Sequence, residues 1–403
     1  MSMGRAALVV GLLAAIGPVA IDMYLPAMPT IAADLHTSAR ATQATLTSFF
    51  LAFGLTQVVY GPAADRFGRR PPMFVGLGLY MLGALGAAVS PTIGWLVAAR
   101  LVQGVGAAST MVIPRAIIRD MYVGVEATRM MGFIMLVISV SPILAPALGG
   151  GLITLLGWRS VFVAVLSAAT AALFLVAFVL PETLDPRLRA PLDARSIART
   201  YGELLRDRRF LGLTFIGGAG MSGFFAFLAT SPFLYVGHYG FTANQFALAF
   251  GFNAAGFIGA SQFAAPLAER FGLAYVVRVA VAGFAAFACA TALWTLVGAD
   301  WVGVLIASLA ATFACLGLVI GPTMVLALDE QGERAGAASA LGGALQMVAG
   351  MATIGVVSLL PKGDPRFMAL AIAACALFAA ALTAGTLGGM RRAIAAPTAG
   401  GSP

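Results

Sequence analysis

Apolar stretches of 18 or more residues recur from one end of this chain to the other. Each is long enough for a helix to cross a bilayer core of about 30 Å. In hydrocarbon no water meets the backbone polar groups, so each such stretch has to be a helix. Between charged or turn-rich breaks the stretches number twelve, near 6–29, 42–62, 73–91, 93–114, 130–153, 160–180, 211–235, 245–267, 275–297, 302–327, 336–360 and 367–389. Composition agrees. Of 403 residues 60% are hydrophobic and only 10% are Asp, Glu, Lys or Arg, against about 25% charged in a soluble domain. Such a chain cannot cover itself with charge. The expected fold class is an all-α polytopic membrane protein whose surroundings are a lipid bilayer.

Orientation follows from the bias of basic residues toward the cytoplasm. With the N-terminus inside, inner segments carry nineteen of the 24 basic residues. Outer segments carry Arg40, Arg159, Lys362 and Arg366, and Arg100 lies inside a span. Both termini are therefore expected in the cytoplasm. This distribution accounts for the net charge of +8 without a nucleic-acid partner. Cys289, Cys315 and Cys375 fall in apolar runs without CxxC spacing, so neither a disulfide framework nor a metal site is implied. His36 and His238 are far apart. No nucleophile, metal cluster or cofactor motif is assembled, which argues against an enzyme and against a bound cofactor. The first apolar run is too long for a cleavable signal, carries an Asp and leads into further spans.

The longest polar break, 181–210, reads PETLDPRLRAPLDARSIARTYGELLRDRRF. It separates six spans in 1–180 from six in 211–390 and leaves a tail at 391–403. It is either a tether between two bundles or a solvated loop, with room for a short surface helix. The halves echo each other. GPAADRFGRRP at 61–71 aligns with APLAERFGLAY at 265–275, so Asp65 meets Glu269 and Gly68 meets Gly272, while Leu273 and Ala274 replace Arg69 and Arg70. Parallel six-helix repeats about an axis along the membrane normal mark one common transporter architecture. The first copy packs Asp65, Arg66, Arg69 and Arg70 between glycines and prolines. Gly61 and Gly68 are expected to allow chain reversal, and Pro71 and Pro72 to start the next helix. The arginines would meet anionic headgroups or carboxylates. The cluster either fastens one half to the other in one state, or only keeps the loop inside.

These residues resemble the major facilitator superfamily. Its signature GxxxDRxGRR is met by Gly61, Asp65, Arg66, Gly68, Arg69 and Arg70. RLVQGVGAA in the fourth span matches the RxxQGxG pattern of drug:proton antiporters at Arg100, Gln103, Gly104 and Gly106. SPILAPALGGG in the fifth is similar to the antiporter motif GPxxGPxxGG at Pro142, Pro146, Gly149 and Gly150, with Ser141 and Ala145 in place of two glycines. IDMYLPAMP in the first span and LPETL after the sixth resemble the Bcr/CflA branch, the bicyclomycin and chloramphenicol resistance type. The resemblance implies two six-helix bundles with pseudo-two-fold symmetry, and a monomer of the bacterial inner membrane. It also implies export of small amphipathic compounds in exchange for protons, driven by the proton gradient alone. Asp120, in IIRDMY, is expected to contact Arg69 or its neighbours.

Two charges lie well inside spans, Asp22 and Arg100. Each sits about seven residues, or roughly 10 Å, from the outer boundary, so the two are expected to face one interior and to interact directly, through water or through Gln103. Intramembrane charges are costly and usually functional. Asp22 is the candidate for proton coupling, with Arg100 its partner; a static pair that fixes helix packing is the alternative. A substrate cavity is expected from Asp22, Met23, Tyr24, Phe50, Phe53, Gln103, Phe224, Asn253 and Gln346, an apolar wall with few polar groups. Helix–helix hydrogen bonds are an equal reading for Asn253 and Gln346. The run at 142–151 is expected to bend its helix and admit a close neighbour. Carriage of a small metabolite, outward or inward, stays open.

Overall fold

The computed structural model describes residues 3–122, 124–189, 194–361 and 363–387. The expected tail at 391–403, Lys362 and the end of the last expected span lie outside the described residues. No strand occurs among those described. The first half contains α1 (Met3–Asp22), the short α2 (Met28–Asp34), α3 (Ala39–Phe67), α4 (Arg70–Ala88), α5 (Ile93–Met121), α6 (Gly124–Leu156) and α7 (Arg159–Phe178). A linker helix α8 (Ala194–Leu204) follows. The second half contains α9 (Arg208–Pro232), α10 (Ala243–Ser261), the short α11 (Ala264–Phe271), α12 (Leu273–Leu296), α13 (Val302–Asp329), α14 (Ala335–Val357) and α15 (Pro365–Leu387). Among the described residues eleven helical stretches are long and apolar enough to cross a membrane, and α6 adds a shorter apolar stretch at Val140–Leu156.

Sequence chemistry sets the helix ends. Ser38 accepts a hydrogen bond from the Ala41 N–H and starts α3, and Thr92 does the same for Trp95 at α5. The first expected span is broken. Pro26 and Pro29 carry no N–H, so the Asp22 and Leu25 carbonyls lose their usual helical donors. The chain answers with a 3-10 turn at Leu25–Ala27 between α1 and α2. Asp22 is thereby the last residue of α1 rather than a mid-helix residue. The expected loop at 61–71 is also mostly helical. α3 runs through Gly61 and Pro62 to Phe67, and only Gly68 and Arg69 separate it from α4. Gly61 makes no turn. Gly68 makes it alone, at φ +91°, and Gly272 repeats this at φ +85° in the second half.

Without a hydrophobic drive between helices in lipid, association comes from close packing of small residues. A Cβ at Gly83 of α4 would lie 2.6 Å from Gln103 Cα on α5, and one at Gly256 of α10 would lie 2.9 Å from the Ala310 carbonyl oxygen on α13. Within the first half α5 packs on α3 and α4, and α1 on α6; within the second, α9 packs on α14 and α15. The halves meet along two seams, α3 against α14 and α6 against α10. Leu155, Phe178, Leu248 and Val297 project from the outside, a surface written for hydrocarbon.

Candidate functional site

The turn after α3 is a knot of charge. The buried Arg69 donates from Nε to Asp120 Oδ2 at 2.7 Å, from Nη2 to Asp120 Oδ1 at 3.0 Å and from Nη1 to Asp65 Oδ1 at 2.6 Å. The expected contact of Asp120 with Arg69 is present, and it is bidentate. Glu182, from the LPETL segment after α7, supplies what α4 lacks at its start. Its carboxylate accepts from the backbone N–H of Arg69 at 2.8 Å and of Arg70 at 3.1 Å. A carboxylate there satisfies orphan donors and the positive end of the helix. Thr183 donates to Asp120 Oδ2 at 3.0 Å. A Cβ at Gly68 would meet the Glu182 carboxylate, so glycine is required both for the backbone angle and for space. Arg70 turns away to the Ala177 carbonyl, 2.7 Å from Nη2, and Arg66 is exposed. In the second half Leu273 and Ala274 offer no guanidinium, and among the described residues Glu269 has no ion pair there.

Asp22 and Arg100 are not paired with each other. Among the described residues no ion pair joins them, which corrects the expected direct contact. Asp22 is 6% exposed and turns toward α6, where Ser141 donates to its Oδ2 at 3.1 Å. Ser141 occupies a position where the antiporter motif has glycine, so the departure from the motif supplies this hydrogen bond. Arg100 is wholly buried inside the first half. Its Nη1 donates to Gln103 Oε1 at 2.7 Å, and its guanidinium carbon lies 4.3 Å from the Phe49 ring centre and 4.7 Å from that of Tyr24. Aromatic faces stabilise the cation where no carboxylate does. Tyr24 is pinned by a 2.6 Å hydrogen bond between its hydroxyl and Thr45 Oγ1. The residue pattern alone could not separate these faces, because the break after Asp22 changes the direction of Tyr24.

The halves are closed on the side away from the charged turn. Gln43 Nε2 donates to the Ala229 carbonyl at 2.6 Å across the seam, and the Phe50 and Phe225 ring centres are 4.4 Å apart. Along α6, a Cβ at Gly149 would lie 3.0 Å from Met23 Cα just after α1, and across the α6–α10 seam one at Gly150 would lie 2.8 Å from Asn244 Oδ1. The close approach expected of this glycine run is present. The helix stays continuous through Pro142 and Pro146. On the turn side the halves part, and a cavity of about 560 Å³ opens between α3, α5, α8 and α14. Gln57, Gly61, Asp65, Arg69, Arg115 and Arg119 line it from the first half, and Tyr201 and Ser339 from the other side.

None of the nine residues expected to form the substrate cavity is in that wall. Asp22, Met23 and Tyr24 cluster at the closed end, and Phe53 stacks on Phe49 at 6.0 Å. Gln103 serves Arg100. Phe224 lies in an aromatic group with Phe257 and Phe313 in the second half. Asn253 Nδ2 donates to Ala249 of its own helix, and Gln346 Nε2 reaches the Thr214 carbonyl on α9 at 3.4 Å. Sequence reasoning did not single out Arg115, Gln57 or Gln43, and it quoted Glu182 only as part of a family pattern. A carboxylate closing a segment that follows a span was the available signal for Glu182; Gln57 lies four turns beyond Gln43 on one helix.

A two-half helical protein, closed on one side and open on the other, with a repeated turn whose first copy carries a knot of charge, has the architecture of a membrane transporter. The model of the Major Facilitator Superfamily matches residues 10–354, and the chain belongs to that superfamily. It is a multi-pass membrane transporter and not an enzyme. It is 34% identical, over 92% of its length and 94% of the relative's, to the uncharacterized MFS-type transporter YdgK of Bacillus subtilis. It is 33% identical, over 68% of its length and 69% of the relative's, to the bicyclomycin resistance protein homolog of Haemophilus influenzae. The Bcr/CflA resemblance is thus borne out. The fold is also that of a solved D-xylose–proton symporter, at a TM-score of 0.75 with 16% identity, covering 94% of this chain and 97% of the other.

Proposed function

We propose that the protein is a proton-coupled antiporter that exports small amphipathic compounds, phenicol- or bicyclomycin-like, across the bacterial inner membrane. In this reading α6 counts as a full span. The twelve spans form bundles at 1–180 and 211–390 joined by 181–210, both termini are cytoplasmic, and the open cavity faces the cytoplasm. The observation that carries the reading is Asp22, one carboxyl set well inside the spans, buried at a helix break where the seam between halves is shut. A buried carboxylate with one hydroxyl donor is poorly compensated when ionised. Opening the closed side brings water to it, so its proton is exchanged in one state and sheltered in the other. Cargo that competes for the loaded state then ties proton entry to export. The name of the Haemophilus relative supports a resistance role.

Inverted vesicles with an imposed proton gradient test this. Wild type and Asp22→Asn are compared on phenicols, dyes and small metabolites. Gradient-driven transport in wild type, lost in Asp22→Asn, is expected; persistence in Asp22→Asn removes Asp22 from the coupling. The second reading is a proton-coupled carrier of a small metabolite, outward or inward, without a drug role. The metabolite arm of the panel decides between the two.

A further inference from the structure

The open cavity holds charges for which the proton site and the fastened turn have no use. Three arginines line it, Arg69, Arg115 and Arg119, against one carboxylate, Asp65. Asp65 is committed to Arg69, and so is the adjacent Asp120. Arg115 is half-buried, and its polar contact is a weak one, Nη2 donating to Met111 Sδ at 3.9 Å along its own helix. Among the described residues neither Arg115 nor Arg119 has a carboxylate partner. The facing wall offers no acid either. α14 contributes small residues and Ser339, and α8 contributes Thr200 and Tyr201. A guanidinium set against apolar walls without an anion is incompletely compensated. A cleft lined by one sign of charge concentrates ligands of the other.

We propose that this cavity is the loading site for amphipathic anions. A singly charged oxyanion, a carboxylate in the first place, pairs with Arg115 near Arg119. The apolar body of the same molecule lies along Val112 and Ala116 of α5. The site disfavours cationic amphiphiles by the same field. This rests on the transport reading and adds compounds carrying a negative group to its neutral phenicol- and bicyclomycin-like cargo. Arg115 is the group that touches the ligand, and it acts before any proton moves.

The test is equilibrium binding to the full chain in phosphatidylcholine nanodiscs without a proton gradient. The probes are 1-naphthoate, 1-naphthamide and 1-naphthylmethylammonium, which share a ring and differ in charge. Naphthoate should bind about tenfold tighter than the amide, as expected of a charge-assisted pair, and the ammonium more weakly than either. Salt should erode the difference. Arg115→Gln should abolish the preference and Arg115→Lys retain part of it. Ser339→Asp, which leaves Arg115 in place and offers it an anion across the cavity, should weaken naphthoate alone. Equal binding of acid and amide, no binding of naphthoate, or a preference that survives both Arg115→Gln and Ser339→Asp overturns the proposal. An anionic headgroup could supply the same oxyanion. Replacing part of the lipid by phosphatidylglycerol should leave naphthoate affinity unchanged; strong competition would assign Arg115 to lipid and also overturn it. Binding needs no gradient, so its failure leaves the export reading standing, and a carrier without proton coupling would still pass.

Discussion

Arg69 uses three of its nitrogens on two carboxylates while almost no part of it reaches solvent. Removing one partner of a buried, hydrogen-bonded ion pair typically costs about 3–5 kcal/mol. Arg69→Gln should therefore lower the melting temperature of the purified protein well below wild type, whereas Arg66→Gln, an exposed change in the same signature, should leave it nearly unmoved. Equal losses would return the turn to a purely orienting role. Asp22 depends on Ser141 for its one hydroxyl donor. Ser141→Ala leaves a buried acceptor unmatched, a loss of about 1–3 kcal/mol, and is expected to slow gradient-driven exchange while Ser167→Ala, exposed on α7, is silent. The charges themselves were legible in the sequence, since a carboxyl in a span stands out by cost alone. Their partners were not. Depth can be counted along a helix, but facing depends on where the helix stops, and the Pro26–Pro29 break turned Tyr24 toward Arg100 and Asp22 toward α6.

At the scale of elements, α4 begins without a capping side chain of its own and borrows Glu182 from beyond α7. Glu182→Gln keeps shape but weakens the anion at the helix start, and should cost about 0.5–2 kcal/mol. Gly68→Ala should cost more, because it combines a left-handed backbone angle with a collision at the same carboxylate. Chemical denaturation of the detergent-purified protein ranks the two, and a milder effect for Gly68→Ala would refute the packing argument. The opposite face has its own tie. Tyr239 and His238 both reach Asp300 in the loop before α13, the ring nitrogen at 2.7 Å. The Tyr239 hydroxyl and then the His238 ring hold the Asp300 carboxyl below its ordinary value. A depressed carboxyl contributes stability above its unfolded value and loses it as pH falls through the folded one. Asp300→Asn should thus melt slightly below wild type at neutral pH, with the gap closing below about pH 4. A gap constant with pH would exclude the tie. The succession of apolar helices and the repeated turn were readable from hydropathy and pattern, while the span at 130–153 is long and apolar enough only in part. The extent of the turn was not, because helix α3 tolerates Pro62 where the motif suggested a loop.

For the whole molecule, the two seams decide which state is described. Gln43→Cys with Ala229→Cys, joined by a short bifunctional thiosulfonate, should lock the closed side and stop exchange until a reductant is added. Unimpaired exchange after cross-linking would mean that this seam need not open. The same asymmetry explains why the expected cargo residues miss the cavity. Those aromatic and polar side chains are instead taken up in packing within and between helices, some of them at the shut end, and a sequence has no way to state which conformer it will be seen in. One further consequence comes from the repeated turn. Its second copy keeps the glycine angle at Gly272 but holds Leu273 and Ala274 where the first holds paired guanidinium groups. The two turns are therefore held unequally, and strain from a passing compound should release first at the copy that lacks these guanidinium contacts. Backbone amides of 269–274 should exchange with deuterium faster than those of 65–70, and cargo should widen that difference.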